Sequence, residues 1–187
     1  HLMLGASIII GNVKIKQVRY AIPIIFFVIS GFYKMGDIIH SVLESTGEDH
    51  SFSHSSIKSI KIPPHVTQIC KNAFAFSSLK NVEIPLNSEL QIINKSAFCD
   101  TFIVSITIPS SLKEIGKKAF DCCTELRQVI IPTNSQLQTI EFSAFASTGI
   151  ESISLPSSLT KLCESAFYSC LNLQHVEIPS DSKLKSI

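Results

Sequence analysis

Between Ile57 and Ile187 the chain repeats one hydrophobic phrase six times: aliphatic, two residues, aliphatic, one residue, aliphatic, proline. The copies are Ile57-Ile60-Ile62-Pro63, Leu79-Val82-Ile84-Pro85, Ile103-Ile106-Ile108-Pro109, Leu126-Val129-Ile131-Pro132, Ile150-Ile153-Leu155-Pro156 and Leu173-Val176-Ile178-Pro179. Apolar residues two apart predict a short strand with one inward face. Proline lacks the N–H that would extend the ladder and so ends each strand. The prolines fall 22, 24, 23, 24 and 23 residues apart. A fixed period in this range marks a solenoid, in which no unit buries its apolar face alone and stacking supplies the core.

After each proline comes a second aliphatic pair: Val66/Ile69, Leu90/Ile93, Leu112/Ile115, Leu137/Ile140, Leu159/Leu162 and Leu184/Ile187. Ala-Phe follows in five units, at Ala73-Phe74, Ala97-Phe98, Ala119-Phe120, Ala144-Phe145 and Ala166-Phe167. A small residue sits three positions past each phenylalanine: Ser77, Thr101, Cys123, Thr148 and Cys170. This half of the unit predicts a return segment with a short helical or 3₁₀ turn that carries Ala-Phe inward. Successive strands pair in parallel at about 4.8 Å, so six make a slab about 24 Å long. The step from proline to the next aliphatic alternates 3, 5, 3, 5, 3, 5, which places a larger loop on every second turn.

Residues between the strand aliphatics point away from the core. They form three columns: Lys58, Lys80, Val104, Arg127, Glu151, Gln174; then Ser59, Asn81, Ser105, Gln128, Ser152, His175; then Lys61, Glu83, Thr107, Ile130, Ser154, Glu177. Solenoids present such a sheet to protein partners. The candidate partner-binding residues are Lys61, Asn81, Glu83, Ser105, Thr107, Arg127, Gln128, Ile130, Ser152, Ser154, His175 and Glu177. Ile130 supplies a small apolar spot among polar neighbours.

Composition narrows the function classes. The chain has 187 residues, 45% of them hydrophobic, and a mean hydropathy of +0.30, which excludes a disordered chain. Sixteen basic and 15 acidic residues leave a net charge of +1, which excludes a nucleic-acid partner held by bulk charge. Five of the seven glycines lie in the first 47 residues. That shift separates a non-repeat segment, 1–56, from the six repeats of 57–187, the last cut short before its Ala-Phe. The chain opens on His1 and stops at a mid-repeat Ile187, so a fragment of a longer array is expected. The apolar run between Tyr20 and Tyr33 follows Lys14, Lys16 and Arg19, in the order of a signal segment or anchor. The alternative is a buried cap on the first coil. Membrane association, if any, runs through 20–33.

The chemistry-bearing residues offer little. Cys70, Cys99, Cys122, Cys123, Cys163 and Cys170 follow repeat positions and are expected as structural free thiols. His50 and His54 stand four apart in a serine-rich stretch, Glu48 to His54, which reads as a linker rather than a metal helix. No metal and no cofactor is expected. Asn94-Lys95-Ser96 is the single glycosylation sequon. There is no nucleophile elbow, phosphate-binding glycine loop or His-Glu-x-x-His, and carboxylates are spread by the repeat, so no enzyme is expected.

The wording Ile108-Pro109-Ser110-Ser111-Leu112-Lys113-Glu114-Ile115 through Ala119-Phe120, echoed in Leu155-Pro156-Ser157-Ser158-Leu159 through Ala166-Phe167, resembles the BspA-type class of leucine-rich repeats. The resemblance covers 57–187. It implies a right-handed leucine-rich-repeat solenoid, with a parallel sheet on the concave face and short helical or 3₁₀ turns on the other side. It also implies a cell-surface or secreted protein that adheres to host or neighbouring-cell proteins. The glycine frequent after the second aliphatic pair survives here only as Gly116. Two alternatives stay open: an intracellular scaffold of the same fold, and a truncated, non-functional repeat fragment.

Overall fold

A computed structural model describes residues 7–10, 13–16 and 50–185. Strands β1 (Ser7–Ile10) and β2 (Val13–Lys16) pair antiparallel, Ser7 opposite Lys16 and Ile10 opposite Val13. The run from Tyr20 to Tyr33, expected as signal, anchor or cap, lies outside the described residues. From residue 50 the chain winds as a parallel-strand solenoid.

Each proline-ended phrase yields one three-residue strand: β3 (Ser59–Lys61), β5 (Asn81–Glu83), β7 (Ser105–Thr107), β9 (Gln128–Ile130), β11 (Ser152–Ser154) and β13 (His175–Glu177). Ile60, Ile106, Val129 and Ile153 are buried between exposed neighbours, as period two demands. Partners sit like against like: Ile60 beside Val82, Ile106 beside Val129, Ile153 beside Val176. Proline acts as the sequence predicts. In alternate coils the residue before it makes the last cross-coil bond: Ile62 N–H donates to Glu83 O at 2.9 Å, Ile108 N–H to Ile130 O at 2.8 Å and Leu155 N–H to Glu177 O at 2.9 Å. The proline carbonyl then closes a turn, accepting from Val66 N–H at 3.2 Å on Pro63 and from Ser88 N–H at 3.0 Å on Pro85.

The second aliphatic pair forms a further strand that the sequence pattern does not announce. These are β4 (Gln68–Ile69), β6 (Ile92–Ile93), β8 (Glu114–Ile115), β10 (Thr139–Ile140) and β12 (Lys161–Leu162). All five pair in parallel as one unbroken sheet, β12-β10-β8-β6-β4. Gly116 lies where two coils approach closely: a Cβ there would stand 2.8 Å from Ile93 O.

The Ala-Phe segment is neither an α nor a 3₁₀ helix, contrary to expectation, and the hydrogen bonds give the reason. A 3₁₀ helix needs every successive N–H to donate back three residues. Here only alternate ones do so: Ala73 to Cys70 O, Ala75 to Asn72 O and Ser77 to Phe74 O, each at 3.2 Å. The N–H groups between them leave for the next coil. Asn72 donates to Lys95 O at 3.0 Å, and Phe74 and Phe76 to Ala97 O and Cys99 O at 2.8 Å each. This arc turns by placing left-handed residues two before and two after each phenylalanine, such as Asn72 (φ 54°) and Phe76 (φ 57°), or Lys118 (φ 57°) and Cys122 (φ 61°).

Residues 50–55, expected as part of a linker, form one more such arc. His50 (φ 78°) and His54 (φ 57°) bracket Phe52, whose N–H donates to Ala73 O at 2.7 Å. Phe52 therefore heads a column of parallel rings that continues through Phe74, Phe98, Phe120, Phe145 and Phe167, with centroids 5.2–5.7 Å apart. Phe74, Phe98, Phe120 and Phe145 are wholly buried. The column fills the space between the two sheets and the arc, with Ile69, Ile93, Ile115 and Ile140 of the narrow sheet also fully enclosed.

Candidate functional site

Every one of the twelve candidate residues on the outer columns is exposed, from Lys61 to Glu177. The period-two reading therefore has the correct phase. Much of the charge on this face is satisfied between coils. Lys61 Nζ pairs with the Glu83 carboxylate, Arg127 lies 3.6 Å from Glu151, and Ser154 Oγ donates to Glu177 Oε2 at 2.6 Å. The ion-pair side chains are 53–66% exposed, so solvent screens them and each contributes little stability. Apolar side chains also reach solvent here: Val104 is 49% exposed and Ile130 44%. Phe102, two residues before Val104, is 49% exposed.

This face is not a uniform sheet. Three full pairs join β3 to β5, β7 to β9 and β11 to β13. A single pair, Ser152 with Gln128, joins β9 to β11, and β5 shares no ladder with β7. The coils thus associate in twos, in step with the alternating turn lengths. At the 5-residue turns Ser88, Ser135 and Ser182 accept from the N–H two residues on, at 3.2, 3.1 and 3.3 Å. At the 3-residue turns the serine hydroxyl instead crosses to the previous coil. Ser111 Oγ donates to Ser88 O and Leu90 O at 2.7 and 2.8 Å, and Ser158 Oγ to Leu137 O at 2.8 Å. Those hydroxyl bonds span the same two junctions at which the strand ladder is missing or thin. A depression of about 410 Å³ opens at the β5–β7 break, lined by Ser59, Ile60, Lys61, Asn81, Val82, Glu83, Ile84 and Thr107. Sequence reasoning missed it because no single unit encodes a gap between units; the alternating spacing was its one visible trace.

The other candidates take structural roles. All six cysteines are free thiols. Cys123 Sγ donates to Phe98 O and Cys170 Sγ to Phe145 O, each at 3.0 Å. Burial pushes the Cys123 thiol up to about 12. Burial first, then the Asp121 carboxylate, pushes Cys99 up to about 11. Such thiols hold almost no thiolate at neutral pH and make poor nucleophiles. His50 and His54 do not share a helix face. His50 Nε2 lies 3.1 Å from Asn72 Nδ2, while the His54 ring stacks on Phe76 at 5.0 Å. Among the described residues no group of three His, Cys, Asp or Glu is placed to hold a metal ion. The sequon amide is engaged: Asn94 Nδ2 donates to Ile69 O at 2.9 Å, and Ser96 is buried. No helix among the described residues is long and apolar enough to cross a membrane.

Comparison with known proteins agrees with this geometry. A family model described as BspA type Leucine rich repeat region, in six copies, matches residues 45–174 and 131–187. Among solved structures, the pneumococcal vaccine antigen PcpA is similar at 30% identity and a TM-score of 0.64, over 66% of this chain and 31% of that one. A leucine-rich repeat protein from Bacteroides ovatus is similar at 28% identity and a TM-score of 0.53, over 67% of this chain and 38% of that one. This chain therefore spans about a third of the length of either structure. No curated protein matches.

Proposed function

Because the chain belongs to the BspA-type leucine-rich repeat family, we propose that it is a non-enzymatic repeat scaffold at the cell surface whose strand face docks a protein of a host or neighbouring cell. The observation that carries this reading is the strand face itself: ordered columns of exposed polar residues around the solvent-facing Val104 and Ile130. Such a face gives a rigid, preorganised platform with an apolar centre and a polar rim, the anatomy of protein interfaces. Likeness to a pneumococcal antigen supports the surface location. The raised pKa values of Cys99 and Cys123, and carboxylates spread over separate coils, support a role without catalysis.

A photo-crosslinking residue placed at Ile130, and separately at Lys95 on the arc edge, tests this on intact cells. The expected result is capture of defined surface proteins from Ile130 and none from Lys95. Equal capture from both positions, or capture from Lys95 alone, overturns the docking face.

One observation favours a second reading, an intracellular scaffold of the same fold: six cysteines without a disulfide suit a reducing compartment. Labelling intact cells with an impermeant amine reagent separates the two. Labelled chain places it outside; chain protected until lysis places it inside.

A further inference from the structure

Between β5 and β7 the strand face opens toward the core. Val82 and Ile84 occupy the repeat positions of Ile60/Ile62 and Ile106/Ile108. Those four residues are at most 5% exposed, whereas Val82 and Ile84 are only part-buried. Their apolar sides form the floor of the depression, and Ser59, Asn81 and Thr107 stand on its walls. A backbone donor is also free at its margin. Ile62, Ile108 and Leu155 each donate their N–H to the next strand, at 2.8–2.9 Å; Ile84 and, in the fourth coil, Ile131 make no such bond, and of these two Ile84 lines the depression. An unpaired amide beside apolar surface can give an incoming extended segment a main-chain hydrogen bond next to a pocket for its side chain.

The surrounding charge selects what fits. Lys58 and Lys80 precede the strands that form one side of the depression, both are exposed, and neither joins an ion pair among the described residues. Lys61 is neutralised by Glu83 within the depression. Glu151 and Glu177 lie several coils away at the other end of the face, Glu151 paired with Arg127. The opening therefore combines a greasy floor, a free amide and two unspent cations. We infer that it receives an apolar side chain carried by an extended, acidic segment of the partner protein, whose carboxylates meet Lys58 and Lys80. This inference rests on the strand-face docking reading. Floor contacts give affinity, while the lysines give register and on-rate.

Panning a displayed random-peptide library on the full chain, with counter-selection on a Thr107→Trp chain whose side chain covers the opening, tests it. Ser59→Trp serves the same purpose from the facing wall, and each variant is first shown to melt like the parent. Enriched peptides should set Asp or Glu beside an aliphatic or aromatic residue. Their affinity should weaken as salt rises and fall about tenfold or more in the Lys58→Glu/Lys80→Glu double variant. Basic or uncharged winners, no enrichment over the filled variants, or full affinity in the double variant overturns the inference. If affinity falls instead with Ile130→Asp and not with the filled variants, the opening is wrong and the strand face stands. If only Lys95→Glu abolishes binding, the strand-face reading fails as well.

Discussion

Phe120 sits mid-column, 5.2 Å from both Phe98 and Phe145, with no exposed surface. Phe120→Ala removes a whole ring from a close-packed stack and should cost about 3–5 kcal/mol. A urea melt should show a lower midpoint at unchanged slope; a shift near zero would mean that the rings do not bear on stability. The small-residue column beside the rings offers a finer test. Thr101 Oγ1 donates to Phe98 O at 2.8 Å, whereas the hydroxyls of Ser55 and Ser77 are buried without a partner. Thr101→Ala loses a methyl and a hydrogen bond, roughly 2 kcal/mol together. Ser77→Ala removes an unsatisfied buried hydroxyl and should be neutral or stabilising by up to about 1 kcal/mol. Equal losses for the two would reveal a hidden partner for Ser77. Cys123, in the same column, links this packing to pH. Its thiol titrates near 9 when unfolded and about 12 when folded. Because the folded value is the higher one, stability is unaffected below the unfolded value and declines as pH rises from about 9 toward 12. The melting temperature should fall across that window, and Cys123→Ala should flatten the fall.

At the scale of elements, the strands were legible and the arcs were not. Apolar residues two apart followed by proline leave few options, and all six strands formed where Ile60, Val82, Ile106, Val129, Ile153 and Val176 mark them. The arcs mislead because their turning residues are not the glycines that left-handed φ favours. Asn72, Ser96, Lys118 and Ser143 occupy one such column, and nothing in Lys118 alone announces a φ of 57°. Phe52 was missed for a related reason: Ser51 replaces the usual alanine, and the surrounding histidines and serines look like a linker. The narrow sheet was missed because a two-residue strand has no period to detect. Ser111 shows what an element-level device adds. Its hydroxyl serves two carbonyls of the preceding coil, at the junction without a strand ladder. Ser111→Ala should cost about 1–3 kcal/mol, the penalty for leaving partly buried acceptors unmet, while Ser110→Ala should stay within about 0.5 kcal/mol. Similar small losses for both in chemical denaturation would show that the hydroxyl bridge does not hold the junction.

Across the whole molecule, stability is a sum of coil terms and nearest-neighbour interfaces, and here the interfaces differ. The narrow sheet and the ring column run through the first five coils without a break and tie them together. The strand face does not: it is fully laddered within coil pairs, thin between β9 and β11, and open between β5 and β7. The open junction is also the candidate docking place, so the surface best suited to take a ligand is where the scaffold is least joined. Such a linear assembly opens first at its weakest interface. Native-state hydrogen exchange at rising denaturant should resolve this. The Ile62 amide, on the first coil pair, and the Ile108 amide, on the second, each donate to a neighbouring strand, at 2.9 and 2.8 Å. They should report two separate openings, with Ile62 exchanging through the smaller one. Ile84, which has no cross-strand acceptor, should exchange fastest of the three even without denaturant. If the Ile62 and Ile108 isotherms coincide, the ring column and narrow sheet dominate and the coil pairs unfold as one. Binding of an acidic segment across the β5–β7 opening should then slow Ile84 selectively, because that amide is the one the segment would cover.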